Sequence, residues 1–67
     1  MTLAQLEASL RYHIVRNLDD YMYSNAIFLS ERLVAENASE DSLNLLGSSY
    51  FRAGFYMRAY SVLKVLY

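Results

Sequence analysis

Leu3, Leu6, Leu10, Ile14 and Leu18 recur at spacings of three and four, which predicts an amphipathic helix over about residues 3 to 18. Thr2, followed three residues later by Gln5, supplies a capping box at its start. The period resumes at Met22, Ala26, Leu29 and Leu33. This predicts a second helix from about 21 to 36, with Asp19-Asp20 offering side-chain acceptors to its free amides. Asn37-Ala38-Ser39 breaks the pattern: Asn37 can take the left-handed conformation that ends a helix, and Ser39 can cap the next. Leu43, Leu46, Tyr50 and Ala53 then mark a third helix over about 40 to 53. Gly54 supplies a turn, and Tyr56, Ala59, Tyr60, Leu63 and Leu66 mark a fourth helix. With no proline and only Gly47 and Gly54 as breakers, the expected class is all-α, four helices with short connections and antiparallel neighbours.

Offsetting the chain by 33 residues pairs Glu7 with Glu40, Ser9 with Ser42, Leu10 with Leu43, Tyr23 with Tyr56, Ala26 with Ala59 and Leu33 with Leu66. That offset lies in the range of helical solenoids. The second unit fits the tetratricopeptide pattern through Leu43, Leu46-Gly47, Tyr50, Ala59, Leu63 and Leu66. Its mechanics are steric: small Gly47 and Ala59 let two helix backbones approach, and Leu46, Tyr50 and Leu63 fill the space beside the crossing. The first unit is degenerate, with His13, Ile14, Asn17 and Ser30 where the pattern wants Leu, Gly, Tyr and an aromatic. The expectation is one N-terminal tetratricopeptide-like domain over 1–67, the start of a right-handed α-solenoid. Its degenerate repeat covers about 3–37 and its second repeat about 40–67.

Hydrophobic residues make up 55% of the chain and seven residues are Tyr, more apolar surface than 67 residues can bury. Part of it is expected to meet another chain. No cysteine and one histidine leave no basis for a disulfide framework or a metal site, and no cofactor is expected. The net charge of −1, spread without runs, gives no footprint for nucleic acid or an anionic membrane. No apolar stretch approaches a membrane span, and Met1-Thr2-Leu3 does not open a signal pattern. The expectation is a soluble, intracellular protein that takes no small-molecule partner.

Asn25-Ala26-Ile27-Phe28-Leu29-Ser30-Glu31-Arg32-Leu33-Val34-Ala35-Glu36 is similar to the start of the cell-division-cycle 27 family, scaffold subunits of the anaphase-promoting complex. Leu45-Leu46, Tyr50-Phe51-Arg52-Ala53-Gly54 and Ala59-Tyr60-Ser61-Val62-Leu63-Lys64 follow at that family's spacing, so the resemblance covers about residues 17 to 64. It implies a non-catalytic subunit of a nuclear and cytoplasmic ubiquitin ligase of the cell cycle that drives mitotic exit. The N-terminal repeats would form a homodimer interface, and other subunits of the ligase would be partners. The family's later repeats bind a coactivator tail, a role that no residue here can inherit. Helix four closes on Val65-Leu66-Tyr67 with no cap, so either the chain belongs to a longer protein or another copy covers this edge.

The candidate sites are therefore surfaces. Leu3, Leu6 and Leu10 are expected to enter a second copy. Arg11, Val15, Asn44, Ser48 and Phe51 are expected to line the concave side, and Tyr67 is left open between packing and contact. Tyr23, Tyr50, Tyr56 and Tyr60 fall on the buried stripes and read as core, whereas Tyr12 is as open as Tyr67. Ser9, His13 and Asp19 or Asp20 superficially resemble a hydrolase triad. One helix surface offers them neither a pocket nor an oxyanion hole, so no catalytic residue is assigned and His13 reads as core or groove. Arg32 and Glu36, four apart, suit an exposed ion pair. The alternative is a tetratricopeptide clamp for a partner's peptide tail, for which the groove offers Arg11 and Arg52 as cations.

Overall fold

The expected helices form as α1 (Leu3–Asp19), α2 (Tyr23–Glu36), α3 (Glu40–Arg52) and α4 (Tyr56–Leu63) in a computed structural model that describes residues 2–66. α2 packs between α1 and α3, and α4 packs on α3. This is the arrangement of two consecutive tetratricopeptide-type hairpins. Thr2 caps α1 as expected: its Oγ1 accepts the Gln5 amide at 3.1 Å while its own amide donates to the Gln5 side chain at 2.8 Å. Ser39 caps α3 in the same reciprocal way with Ser42.

The turn inside each hairpin corrects one expectation and strengthens another. Asp19 and Asp20 do not cap α2, because Asp19 is the last residue of α1 and Asp20 its C-cap. The chain reverses at Tyr21, whose φ is 61°, with the Tyr21 amide donating to Leu18 O at 3.1 Å and the Met22 amide to Asn17 O at 2.8 Å. This is a Schellman closure. After α3 it recurs residue for residue at the 33-residue offset: Gly54 has φ 90°, its amide donates to Phe51 O at 3.1 Å, and the Phe55 amide donates to Tyr50 O at 2.8 Å. Asn37, expected to be left-handed, is instead extended at φ −159°. It needs no positive φ because Ser42 Oγ donates to its carbonyl at 2.7 Å, which draws the chain straight into the α3 cap.

Leu10, Ile14, Leu18, Ala26 and Leu33 form one buried cluster between α1 and α2. Leu46, Tyr50 and Ala59 form a second, against which Ile27, Val34 and Val62 pack. Gly47 is buried where a Cβ would lie 2.5 Å from Leu63 Cδ2, so the close α3–α4 crossing read from the sequence is present. Between α2 and α3 the contact is polar: Ser30 Oγ and Ser49 Oγ are 3.0 Å apart and fully buried. The Ser49 hydroxyl donates to Leu45 O at 2.8 Å, which leaves Ser30 as the donor to Ser49.

Tyr50 is buried and Tyr23 half-buried, as the stripes suggest, but Tyr56 and Tyr60 are 62% and 64% exposed. They flank buried Ala59 on α4, and although Tyr56 reaches the Phe51 ring of α3, no described helix covers the outer side of either tyrosine. The fourth helix ends at Leu63, short of the Leu66 the stripe suggested, and Leu66 closes a turn through its amide to Leu63 O. His13 is exposed, so its core reading fails; its ring meets Tyr12 edge-on at 5.3 Å.

Candidate protein-interaction site

The expected concave face divides into two surfaces. Arg11 and Val15 of α1 and Asn44 of α3 come together, with Asp41 and Leu45, around a cleft of 300 Å³. Arg11 spans it, its guanidinium 3.7 Å from the Asp41 carboxylate, and its Nε is buried without a hydrogen-bond partner. The cleft continues through Arg11 and Val15 into a 570 Å³ shelf along α1, which Ala8, Tyr12, Arg16 and Asp19 complete. The shelf is apolar along its middle, with Val15 47% and Tyr12 61% exposed.

Phe51 belongs elsewhere. Its ring meets Tyr56 edge-on at 5.3 Å, and together with Ala59, Tyr60, Leu63 and Lys64 it lines a separate 550 Å³ groove between α3 and α4. Ser48 is exposed on α3 and lines neither hollow. Of the three leucines expected to enter a partner, Leu3 is 55% exposed and Leu6 is half-buried. Leu10, at 6%, is part of the core and is held by its own chain, so it cannot also enter another. Tyr67 lies outside the described residues.

Sequence reasoning missed Glu31 as a structural acceptor. The Tyr50 hydroxyl donates to Glu31 Oε2 at 2.7 Å, and the Arg58 guanidinium sits over the Tyr50 ring at 5.9 Å and the Phe55 ring at 5.5 Å. Burial, and then the Glu31 carboxylate, push the Tyr50 hydroxyl above its ordinary pKa of 10.0. Arg32 and Glu36 do not pair; the ion pairs among the described residues are Arg11–Asp41 and Arg16–Asp20. No three metal-ligating side chains converge among the described residues, and no helix there is long and apolar enough to cross a membrane.

A family model described as anaphase-promoting complex, cyclosome, subunit 3 matches residues 19–66, which holds α2, α3, α4 and both hairpin turns. The chain belongs to the anaphase-promoting complex subunit 3 family. Human and mouse cell division cycle protein 27 homologs are each 42% identical to it over 59 residues, covering 88% of this chain. Cell division cycle protein 27 homolog B of Arabidopsis thaliana matches at the same identity over the same share. The chain spans only 7% of the length of the human relative and 8% of the Arabidopsis one. No solved structure matches it. For this subunit 3 family member, the run Phe28-Leu29-Ser30-Glu31-Arg32-Leu33 now divides by position: Leu33 and Ser30 are buried, Leu29 packs against the α1–α2 core, and Glu31 holds Tyr50. Phe28 and Arg32 stay exposed, one helical turn apart.

Proposed function

We propose that this chain is a non-catalytic scaffold element of the anaphase-promoting complex, acting in cell division, and that it joins two copies of its protein through the α1 face. The observation that carries the reading is the continuous surface of Ala8, Tyr12 and Val15 on α1, open to solvent and joined to the Arg11–Asn44 cleft, in a chain of the subunit 3 family. Because α1 is packed on α2 and its Leu10, Ile14 and Leu18 are committed to the core, the helix does not leave as an arm. Its outward row meets the partner, with Leu3 at the rim. Small Ala8 admits a close approach, and each Val- or Leu-sized side chain covered contributes about 1.5–3 kcal/mol. A two-fold arrangement makes each such row meet itself and closes the pair. The two repeats act as one module, and the remaining partners are other subunits of the nuclear and cytoplasmic ligase.

Sedimentation of the wild type and of Val15→Glu tests the dimer. The variant is expected to remain helical and to dissociate at least about tenfold more readily, since a carboxylate would be desolvated at the centre of the contact. Val15→Glu that sediments as the wild-type dimer would sink the α1 interface.

A further inference from the structure

Of the exposed serines among the described residues, Ser24, Ser48 and Ser61, the first two have no cation within three residues on either side. Ser61 has Arg58 three before it and Lys64 three after it, and positions three apart on a helix are neighbours on one face. Ser61 and Arg58 line one hollow of 280 Å³ with Tyr50, Met57 and Val62. Neither cation is in an ion pair among the described residues: Arg58 rests over the Phe55 and Tyr50 rings, and Lys64 over the Tyr60 ring. No acid follows Asp41 in the chain, and Glu31, which α2 brings to Tyr50, is occupied by the Tyr50 hydroxyl. At the 33-residue offset, Arg58, Ser61 and Lys64 match Asn25, Phe28 and Glu31. All three of these stay exposed although α3 packs on α2, Phe28 by 64%. A further hairpin seated on α4 in the same way would therefore leave Ser61 open.

We propose that Ser61 is a phosphorylation site, modified by a protein kinase that recognises an arginine three residues before the acceptor, and that the phosphate is held between Arg58 and Lys64. The γ-phosphoryl group of ATP passes to Ser61 Oγ, its bond to ADP breaks, and the hydroxyl proton leaves to the catalytic aspartate of the kinase. Ser61 must leave the helix to reach that kinase, and α4 is the element most easily opened. No side chain caps its N-terminus, its first turn holds no acid, and Ala59 is its one buried residue. Once α4 has reformed, Ser61 Oγ no longer donates to Met57 O, and a group of about −1.5 to −2 charge stands between two cations. The negative end of the α4 dipole, roughly half a charge, opposes the phosphate; two full positive charges, one on either side, outweigh it. The modified face is close to neutral where the unmodified one is positive. This site lies on α4, away from the α1 face, so it stands or falls independently of the dimer.

The probe is the catalytic domain of a calcium/calmodulin-dependent protein kinase with ATP, acting on the folded chain, and the modified residue is located by peptide mass spectrometry. One phosphate is expected, on Ser61, with Ser61→Ala taking none. Arg58→Gln is expected to lower kcat/KM at least about tenfold, because the kinase subsite loses its cation. The clamp is read separately, on chain made with phosphoserine at position 61, by phosphorus NMR against pH. The second pKa of the phosphate, ordinarily about 6, is expected to be lower in the folded chain than in urea, since neighbouring cations favour the dianion. Lys64→Gln, which leaves the buried side of α4 untouched, is expected to return it part of the way. Transfer to Ser24 or Ser48 in place of Ser61, no transfer at all, an unchanged kcat/KM in Arg58→Gln, or the same phosphate pKa folded and in urea would each overturn the proposal.

Discussion

At Gly47 a single hydrogen decides how closely two helices cross. Alanine is the better helix former by about 1 kcal/mol, yet its Cβ would lie 2.5 Å from Leu63 Cδ2 and 2.6 Å from Leu63 Cγ. Gly47→Ala is therefore expected to destabilise the chain by about 1–3 kcal/mol through overpacking. In urea titrations, Gly47→Ala combined with Leu63→Ala is expected to lose less than the sum of the two single changes. Tyr50 gives a second residue-scale expectation, with a sign fixed by its raised pKa. A phenol whose folded pKa lies above the unfolded value of 10.0 contributes stability that is complete below pH 10 and is lost as pH rises through the folded pKa. The wild type should therefore lose stability above pH 10 more steeply than Tyr50→Phe, which gives up about 0.5–1.5 kcal/mol of hydrogen bond at neutral pH. Equal alkaline slopes for the two proteins would rule out Tyr50 as the group responsible. The Gly47–Leu63 crossing was legible in the sequence because a glycine inside a helix is locally unfavourable and calls for a close neighbour. The Glu31–Tyr50 and Ser30–Ser49 contacts were not, since residues 19 apart on separate helices leave no periodic trace.

The two hairpins close with the same hydrogen bonds and different residues in the left-handed position, Tyr21 and Gly54. A non-glycine residue at φ 61° carries a cost of about 1–2 kcal/mol that glycine avoids. Tyr21 is 75% exposed, so little packing offsets that cost. Tyr21→Gly is expected to raise stability by about 1 kcal/mol net of the entropy glycine adds to the unfolded chain, measurable as a higher melting temperature. Gly54→Ala should do the reverse. The stripes placed the helix cores to within a few residues, but they assigned Tyr56 and Tyr60 to the interior. The heptad-like spacing identifies a face and cannot say whether anything covers it. Asp19 and Asp20 misled for a related reason: a carboxylate next to a helix start suits a cap, and equally suits the last turn of the helix before it, where Arg16 reaches Asp20 at 3.4 Å.

Across the molecule, the Cα atoms span 35 × 27 × 13 Å, so the four helices form a slab thin in one direction, with both broad faces in water. A slab of these proportions cannot enclose the 55% of its residues that are hydrophobic, which is why Tyr12, Val15, Phe28, Phe51, Tyr56, Met57 and Tyr60 lie outside. Composition announced that surplus in advance. It could not say that the surplus divides between an α1 face and an α4 face, because that division depends on which helix flanks meet. On dilution, the wild type is expected to keep its helicity while its molar mass falls, because both buried clusters close within one chain. The measurement is circular dichroism beside light scattering on the same samples, and helicity that stays constant through dissociation would show the slab to be stable alone.

The unequal residues at the two hairpin turns also bear on the order of events as the chain folds. Each hairpin is a local unit, and closing its turn is an early event when contacts are short in sequence. The turn at Gly54 closes without backbone strain, whereas the one at Tyr21 must bring a bulky residue into the left-handed region first. The C-terminal hairpin is then the natural nucleus, onto which α2 docks through Ser30 and Ser49 before α1 completes the assembly. Stopped-flow refolding should show Gly54→Ala slowing folding by most of its cost in stability, and Tyr21→Gly acting mainly on the unfolding rate. A repeat built twice from one plan thus acquires a direction in time from the residue at one backbone position.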